Sequence, residues 1–261
     1  MTTLFVVATP IGNLSDITTR ALEIMRSVDL IACEDTRHTI KLLNHFGIQK
    51  PLVSYHDFNE RKKADELAGR IQAGLRVALV SDAGTPAVSD PGYRLVRTCR
   101  ERGLEVIAIP GASAAVAALS ASGLPSDEFL FVGFLPAKAS ARIEKLESIK
   151  ESPVTSIFYE APHRIHEMLG DVLKVFGERE VCVFRELTKI HEEAVFGRLS
   201  EVKQRVKAIG EFTIVVAGSD HEAASVQPLN LDGLSRKEIL AVLADKTGIS
   251  KKKLYDLLLK D

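Results

Sequence analysis

Leu4-Phe5-Val6-Val7-Ala8 runs directly into Thr9-Pro10-Ile11-Gly12-Asn13-Leu14. A short β-rich apolar run bounded by Pro and Gly reads as a buried strand that empties into a loop. The arrangement recurs. Leu30–Cys33 leads into Glu34-Asp35-Thr36-Arg37-His38-Thr39, and Val77–Val80 leads into Ser81-Asp82-Ala83-Gly84-Thr85-Pro86, extended by Ser89-Asp90-Pro91-Gly92. Val106–Ile109 leads into Pro110-Gly111-Ala112-Ser113-Ala114. Helical patterns lie between these runs, the clearest at Ala64, Leu67, Ala68 and Ile71, which share one face. Strands alternating with helices predict a doubly wound parallel α/β sheet with right-handed crossovers. The carboxyl ends of parallel strands lie along one edge, so the four loops converge where such sheets bind ligands.

From Ser113 onward the texture changes. An Ala-rich helix is followed by strand Phe129–Phe134, a helix over Arg142–Ile149, strand Thr155–Tyr159 and helix Ile165–Val175, with Pro162 near its first turn. The runs Val181–Arg185, Ala194–Leu199 and Phe212–Ala217 then follow without a long helix between them, which predicts a mixed or antiparallel sheet. Ser219–Asp232 reads as a polar linker. Beyond it Ser235 can cap a helix carrying Ile239, Leu240, Val242 and Leu243, and Leu254, Leu257 and Leu258 mark a last helix. The expected organisation is an α/β domain over 1–112, an α+β domain over 113–220, a linker over 221–232 and a helical appendage over 233–261. That appendage is either half of a helix-turn-helix or a packing element with a solvated basic turn at Lys246 and Lys251–Lys253.

The 34 Lys plus Arg nearly cancel the 35 Asp plus Glu, so any polyanion must be met by a local patch rather than by overall charge. With 261 residues, 46% of them hydrophobic, the chain can bury a full core without disulfides. Cys33, Cys99 and Cys182 are scattered and odd in number, which reads as reduced, buried thiols in a cytoplasmic protein. The first apolar run is too short, and lacks the basic lead, for a signal peptide. The uncharged stretch Val106–Ser126 is broken by Pro110, Gly111, Gly123 and Pro125, so no membrane span is expected.

Phosphate-binding, dinucleotide, zinc-protease and nucleophile-elbow signatures are all missing, and His163 and His166 read as surface residues. Glu34 and Asp35 beside Arg37 form either a buried acidic pair that serves as a base or holds a hydroxyl substrate, or an Asp35 helix cap with an ion pair. Tyr159-Glu160-Ala161-Pro162-His163-Arg164 is either the lip of a cleft or a helix start. His56, at another strand end, reads as a satisfied structural histidine.

Taken together, T-P-I-G-N-L (9–14), E-D-T-R-H-T (34–39), S-D-A-G-T-P (81–86) and S-D-P-G (89–92), with F-Y-E (158–160) and R-E-L-T-K (185–189), resemble the tetrapyrrole-methylase superfamily. The resemblance runs from Leu4 to about Gly218 and is greatest to the branch that methylates ribosomal RNA. The superfamily's tetrapyrrole enzymes usually carry G-x-G-P-G-D in the first loop, and this chain departs from that. The resemblance implies a class III methyltransferase of two α/β domains, with S-adenosylmethionine (AdoMet) folded between them, no metal, and a homodimer. Pro10, Asp82, Ala83, Gly84, Ser113 and Ala114 would line the cofactor from the first domain, and Tyr159 and Leu187 from the second. The implied substrate is small-subunit (16S) ribosomal RNA in the 30S subunit, methylated on the ribose 2′-OH of a decoding-region cytidine. Glu34 or Asp35 would orient or deprotonate that hydroxyl and Arg37 would grip a phosphate. A basic rim is expected from Arg37, Lys138, Arg142, Arg164 and Lys251–Lys253. Two readings remain beside this one: a porphyrinoid or diphthine-type methylase of the same superfamily, and a nucleic-acid-binding module without catalysis.

Overall fold

A computed structural model describes residues 2–219 and the pair Ile239–Leu240. The chain divides into one compact unit, Met1–Asp220, and a second unit, His221–Asp261. Ile239 and Leu240 are helical, and the rest of the expected linker and appendage lies outside the described residues.

The compact unit opens with β1 (Thr3–Val7), α1 (Thr19–Ser27), β2 (Leu30–Cys33), α2 (Thr36–His45), β3 (Leu52–Ser54), α3 (Glu60–Gln72), β4 (Val77–Val80), α4 (Tyr93–Glu101) and β5 (Glu105–Ile109). These five strands form an all-parallel sheet in the order β3-β2-β4-β1-β5. Side chains alternate across it. Leu4, Val77 and Leu79 pack with Leu67 and Ile71 of α3 and Leu95 and Cys99 of α4. Phe5, Val7, Ala78 and Val80 pack on the other face with Ala21 and Met25 of α1 and Leu43 of α2. The chain therefore leaves β1 and β2 over one face and β3 and β4 over the other, as right-handed crossovers in opposite directions require. The reversal falls between the adjacent strands β1 and β4, which opens a crevice at their carboxyl ends.

The second half comprises α5 (Ala114–Ala121), β6 (Phe129–Phe134), α6 (Ala139–Glu147), β7 (Thr155–Glu160), α7 (Ile165–Phe176), β8 (Glu180–Arg185), β9 (Glu193–Arg198), α8 (Leu199–Arg205) and β10 (Phe212–Val216). Its sheet is mixed, in the order β6-β7-β10-β8-β9, with only β6 and β7 parallel. α5 covers one face through Ala115, Ala118 and Leu119, packed on Ile157, Cys182 and Val215. α6, α7 and α8 cover the other. The seven-residue α8 is absent from the sequence reading; it forms because Leu199 and Val202 are buried against α7. The three cysteines are free and buried. Among the described residues no helix is long and apolar enough to cross a membrane.

Two expected rim residues point inward. Arg142 has no exposed surface: its guanidinium donates to Asp171 Oδ2 at 2.7 Å and to the carbonyl of Ala137, and pairs with Glu167. Arg164 donates to the carbonyls of Leu135 and Pro136 and lies 3.2 Å from Glu160 Oε2. Both arginines are taken up in holding β6, α6 and α7 together, so neither is a phosphate contact. Lys138 and Arg37 are exposed, and Lys251–Lys253 lie outside the described residues.

Candidate functional site

The loops after β1, β2, β4 and β5 do converge, and hydrogen bonds tie them together. The Thr9 N–H donates to the Gly84 carbonyl at 2.9 Å, and the Gly84 N–H donates back to the Thr9 carbonyl at 3.1 Å. Thr9 Oγ1 donates to the Ser81 carbonyl, and Thr85 Oγ1 to the Ala112 carbonyl. The Asp35 N–H donates to Asp82 Oδ1 at 3.1 Å, which joins the β2 loop to the β4 loop. Gly84 sits at φ +79°, where a side chain would be strained, and this lets the β4 loop lie flat against Thr9.

The second sheet closes this edge. Phe134, Tyr159, Glu160, Leu187 and Lys189 face Ile11, Ala83, Gly84, Asp90, Ser113 and Ala114 across a cavity of about 350 Å³. Tyr159 Oη accepts from the Ala115 N–H at 3.1 Å, pinning the start of α5 to β7, and its ring packs edge-on against Phe131 and Phe134. Gly133 is at φ +71°, next to a register shift in β6, and a Cβ there would lie 2.6 Å from Ser89 Oγ. Strained backbone gathers on both walls: Ala87 and Ser89 have φ of +67° and +61°, and Glu186 and Thr188 have φ of +53° and +69°. A β-branched residue such as Thr188 seldom adopts that region, and each such residue costs about 1–3 kcal/mol, held here by the surrounding fold.

The expected cofactor residues divide between two cavities. Ala83, Gly84, Ser113, Ala114, Tyr159 and Leu187 line the large one. Pro10 and Asp82 line a neighbouring cavity of about 310 Å³, with Gly12, Leu14, His38 and Lys41. Glu34, Asp35 and Arg37 line neither. Of the two readings of Glu34 and Asp35, the buried acidic pair is not found, because both carboxylates are only half-buried. Asp35 caps α2, accepting from the Arg37 N–H at 2.8 Å, and pairs with the Arg37 guanidinium at 2.7 Å. Those bonds hold its carboxyl down at about 2. Glu34 moves the other way, raised by burial and then by the charges of Asp82, Asp90, Asp57 and Asp35.

Asp90 belongs to the Ser89-Asp90-Pro91-Gly92 stretch that follows β4. Asp90 lines the large cavity, and burial, offset by the Ser81 hydroxyl and reinforced by Asp82 and Asp57, pushes its carboxyl up to about 6. An acidic residue inside a strand-end loop was the available signal. Phe134, Lys189 and Glu211 were not foreseen as cavity residues either. His56 is not fully satisfied: Nε2 lies 3.1 Å from Asn59 Nδ2, but Nδ1 is buried without a partner among the described residues. Tyr159 to Pro162 prove to be both a cavity lip and the lead into α7.

The large cavity joins an apolar lining of Ile11, Val88, Phe134 and Leu187 to the acidic residues Asp90, Glu160 and Glu211 and to the first turn of α5. Thr188 Oγ1, beside Leu187, is buried without a hydrogen-bond partner among the described residues. Such a space suits a ligand with a planar apolar body, a cationic centre and an anionic end. The family model of Tetrapyrrole (Corrin/Porphyrin) Methylases matches residues 3–203. A Pseudomonas aeruginosa protein named Ribosomal RNA small subunit methyltransferase I is 48% identical over 97% of this chain and 95% of its own length. The protein of that name from Escherichia coli O157:H7 is 49% identical over 97% of this chain and 93% of its own. The fold is also that of the uroporphyrin-III C-methyl transferase from Thermus thermophilus complexed with S-adenyl homocysteine, with a TM-score of 0.57 at 18% identity over 86% of this chain and 99% of that one. From the match over most of its length and from whole-length relatives near half identity, the chain belongs to the tetrapyrrole methylase family.

Proposed function

We propose that this chain is an AdoMet-dependent methyltransferase that acts on small-subunit ribosomal RNA, methylating the ribose 2′-OH of a decoding-region cytidine, and that it works as a cytoplasmic homodimer. The observation that carries the reading is a coincidence. Whole-length likeness to proteins named for small-subunit ribosomal RNA falls on a chain whose two sheets enclose a cavity suited to a sulfonium cofactor. When bound, AdoMet supplies an electrophilic methyl on a cationic sulfur. Asp90 places a carboxylate in the same space, and the first turn of α5 behind Ser113 offers amides to an anionic end. Phe134 and Tyr159 provide aromatic surface for a nucleobase.

A ribose hydroxyl is a weak nucleophile at neutral pH and needs a base close to it. Between the two candidate carboxylates the structure favours Glu34. Its carboxyl is raised, hence more basic, while Asp35 is held low and spent on capping α2 and binding Arg37. In this reading Glu34 takes the proton from the 2′-OH, and Asp35 fixes the loop that carries it.

The test offers labelled AdoMet to isolated 30S subunits and, in parallel, to uroporphyrinogen. Label recovered in rRNA as an alkali-resistant dinucleotide is the expected result; label in the tetrapyrrole instead would overturn the assignment. Glu34→Gln should lower kcat by about 10²–10⁴ with AdoMet affinity unchanged. Wild-type turnover in both Glu34→Gln and Asp35→Asn would remove the carboxylates from the mechanism.

A further inference from the structure

The smaller cavity has no part in the reading above. One side is the loop after β1, through Pro10 and Gly12, with Asp82 beside it; the other is a face of α2 made by His38, Lys41, Leu42 and His45. Those four positions follow helical spacing, while Thr39 and Leu43 on the opposite side are buried in the core. α2 carries Arg37, His38, Lys41 and His45 and no acidic residue. Among the described residues neither the Lys41 ammonium nor the His38 imidazole is recorded with an ion-pair or hydrogen-bond partner, and the His45 ring is recorded only edge-on to Phe46. In a chain of net charge −1 this face presents the Lys41 ammonium with two imidazoles beside it, and Asp82 is the one acidic residue lining the cavity.

Its position gives that charge a use. The two cavities share one thin wall: Ile11, Ala83 and Gly84 face the large cavity, and Pro10, Gly12 and Asp82 face the small one. The Thr9–Gly84 hydrogen-bond pair holds that wall. The stem of Lys189, which lines the large cavity, lies so close over Gly12 that no Cβ fits there. The β2 loop bearing Glu34 leads straight into α2. Asp82, which lines the small cavity, keeps Oδ1 on the Asp35 N–H.

We propose that the α2 face and this cavity seat the phosphodiester backbone next to the nucleotide being methylated, with Lys41 and His45 on phosphate oxygens. The proposal rests on the RNA reading above. A cationic stripe beside the proposed base would fix the strand's register without reading its sequence.

Lys41→Ala, His45→Ala, the double variant and Lys41→Glu test it, because both side chains are exposed and the fold does not depend on them. Equilibrium binding to 30S subunits is measured across salt concentrations without turnover, beside AdoMet binding and the KM for subunits. Lys41→Ala should weaken subunit binding about three- to tenfold and lower the slope of log K against log salt by about 1, while His45→Ala should weaken binding less and leave the slope near that of wild type. Lys41→Glu should weaken binding further than Lys41→Ala, with AdoMet affinity unchanged. Lys174→Ala, the same charge change on α7, should behave as wild type. A double variant with wild-type binding and slope would overturn the proposal, and so would a loss confined to AdoMet affinity. Wild-type protein that binds subunits through these residues yet leaves them unlabelled would refute the methylation reading and uphold the phosphodiester seat alone.

Discussion

Replacing Asp90 by Asn should make the protein more stable and its cofactor binding worse. The carboxyl is raised from 3.8 to about 6, chiefly by burial and then by Asp82 and Asp57. A group whose folded value is raised binds its proton more tightly in the folded state. Its favourable contribution is therefore complete in acid and is lost as pH rises through about 6. A shift of that size corresponds at full strength to about 3 kcal/mol, and solvent screening of a half-buried group reduces it to about 1–2 kcal/mol. Asp90→Asn should therefore gain about 1–2 kcal/mol at pH 7.5, a rise of about 2–6 °C in Tm for a chain of this size, and the gain should vanish near pH 4. The same carboxylate sits where the proposed sulfonium would bind, so AdoMet affinity should fall about tenfold, equivalent to about 1.4 kcal/mol. S-adenosylhomocysteine, uncharged at sulfur, should bind as before. Urea unfolding at the two pH values and calorimetric titration of both ligands provide the assay. An Asn variant less stable than wild type at pH 7.5 would refute the electrostatic argument; an unchanged ratio of the two affinities would remove Asp90 from the sulfonium.

Arg142→Ala should cost about 3–5 kcal/mol in urea unfolding, because it strands Asp171, which has only 18% of its side chain exposed, without its cation. Arg142→Lys should recover part of that loss, and equal stability of the Ala variant and wild type would contradict the role given to the pair. Gly133→Ala should cost about 1–3 kcal/mol, since it places a side chain at φ +71° against Ser89 Oγ. Adding Ser89→Ala should relieve the clash with Oγ but not the backbone strain, which thermal melts of the single and double variants can separate. Tyr159→Phe should cost about 1 kcal/mol by removing the acceptor of the Ala115 N–H, with faster hydrogen exchange at that amide as its signature.

Four strands of the first sheet were legible because each is a continuous apolar run stopped by a loop residue, whereas the three-residue β3 (Leu52–Ser54) is too short to stand out. Leu30–Cys33 and Val77–Val80 have the bounds the sequence predicts, and the convergence of their loops follows from parallel geometry alone. The far wall of the large cavity was not. Phe134, Lys189 and Glu211 meet there only because β10 runs antiparallel between β7 and β8, a register that no local pattern spells out. Arg142 and Arg164 misled for a related reason. An arginine is ordinarily exposed, but Arg142 is buried by Glu167 and Asp171, four residues apart on a different helix, and Arg164 is drawn in by the carbonyls of Leu135 and Pro136. At Asp35 the two local readings predicted different surroundings, and the cap with an ion pair is the one present.

The middle strand of the second sheet is the last strand of the compact unit, and this orders its assembly. β7 and β8 meet only through β10. Until Phe212–Val216 insert, the segment from Phe129 to Arg198 can form only two separate ribbons, β6 with β7 and β8 with β9, each with a bare edge facing the gap. Between Arg198 and Val216 a ribosome adds roughly 18 residues, about 1–4 s of synthesis during which either edge can pair with another chain. The large cavity takes part of its wall from Phe212 and Thr213, so a nascent chain completes its second sheet and gains that wall in a single step.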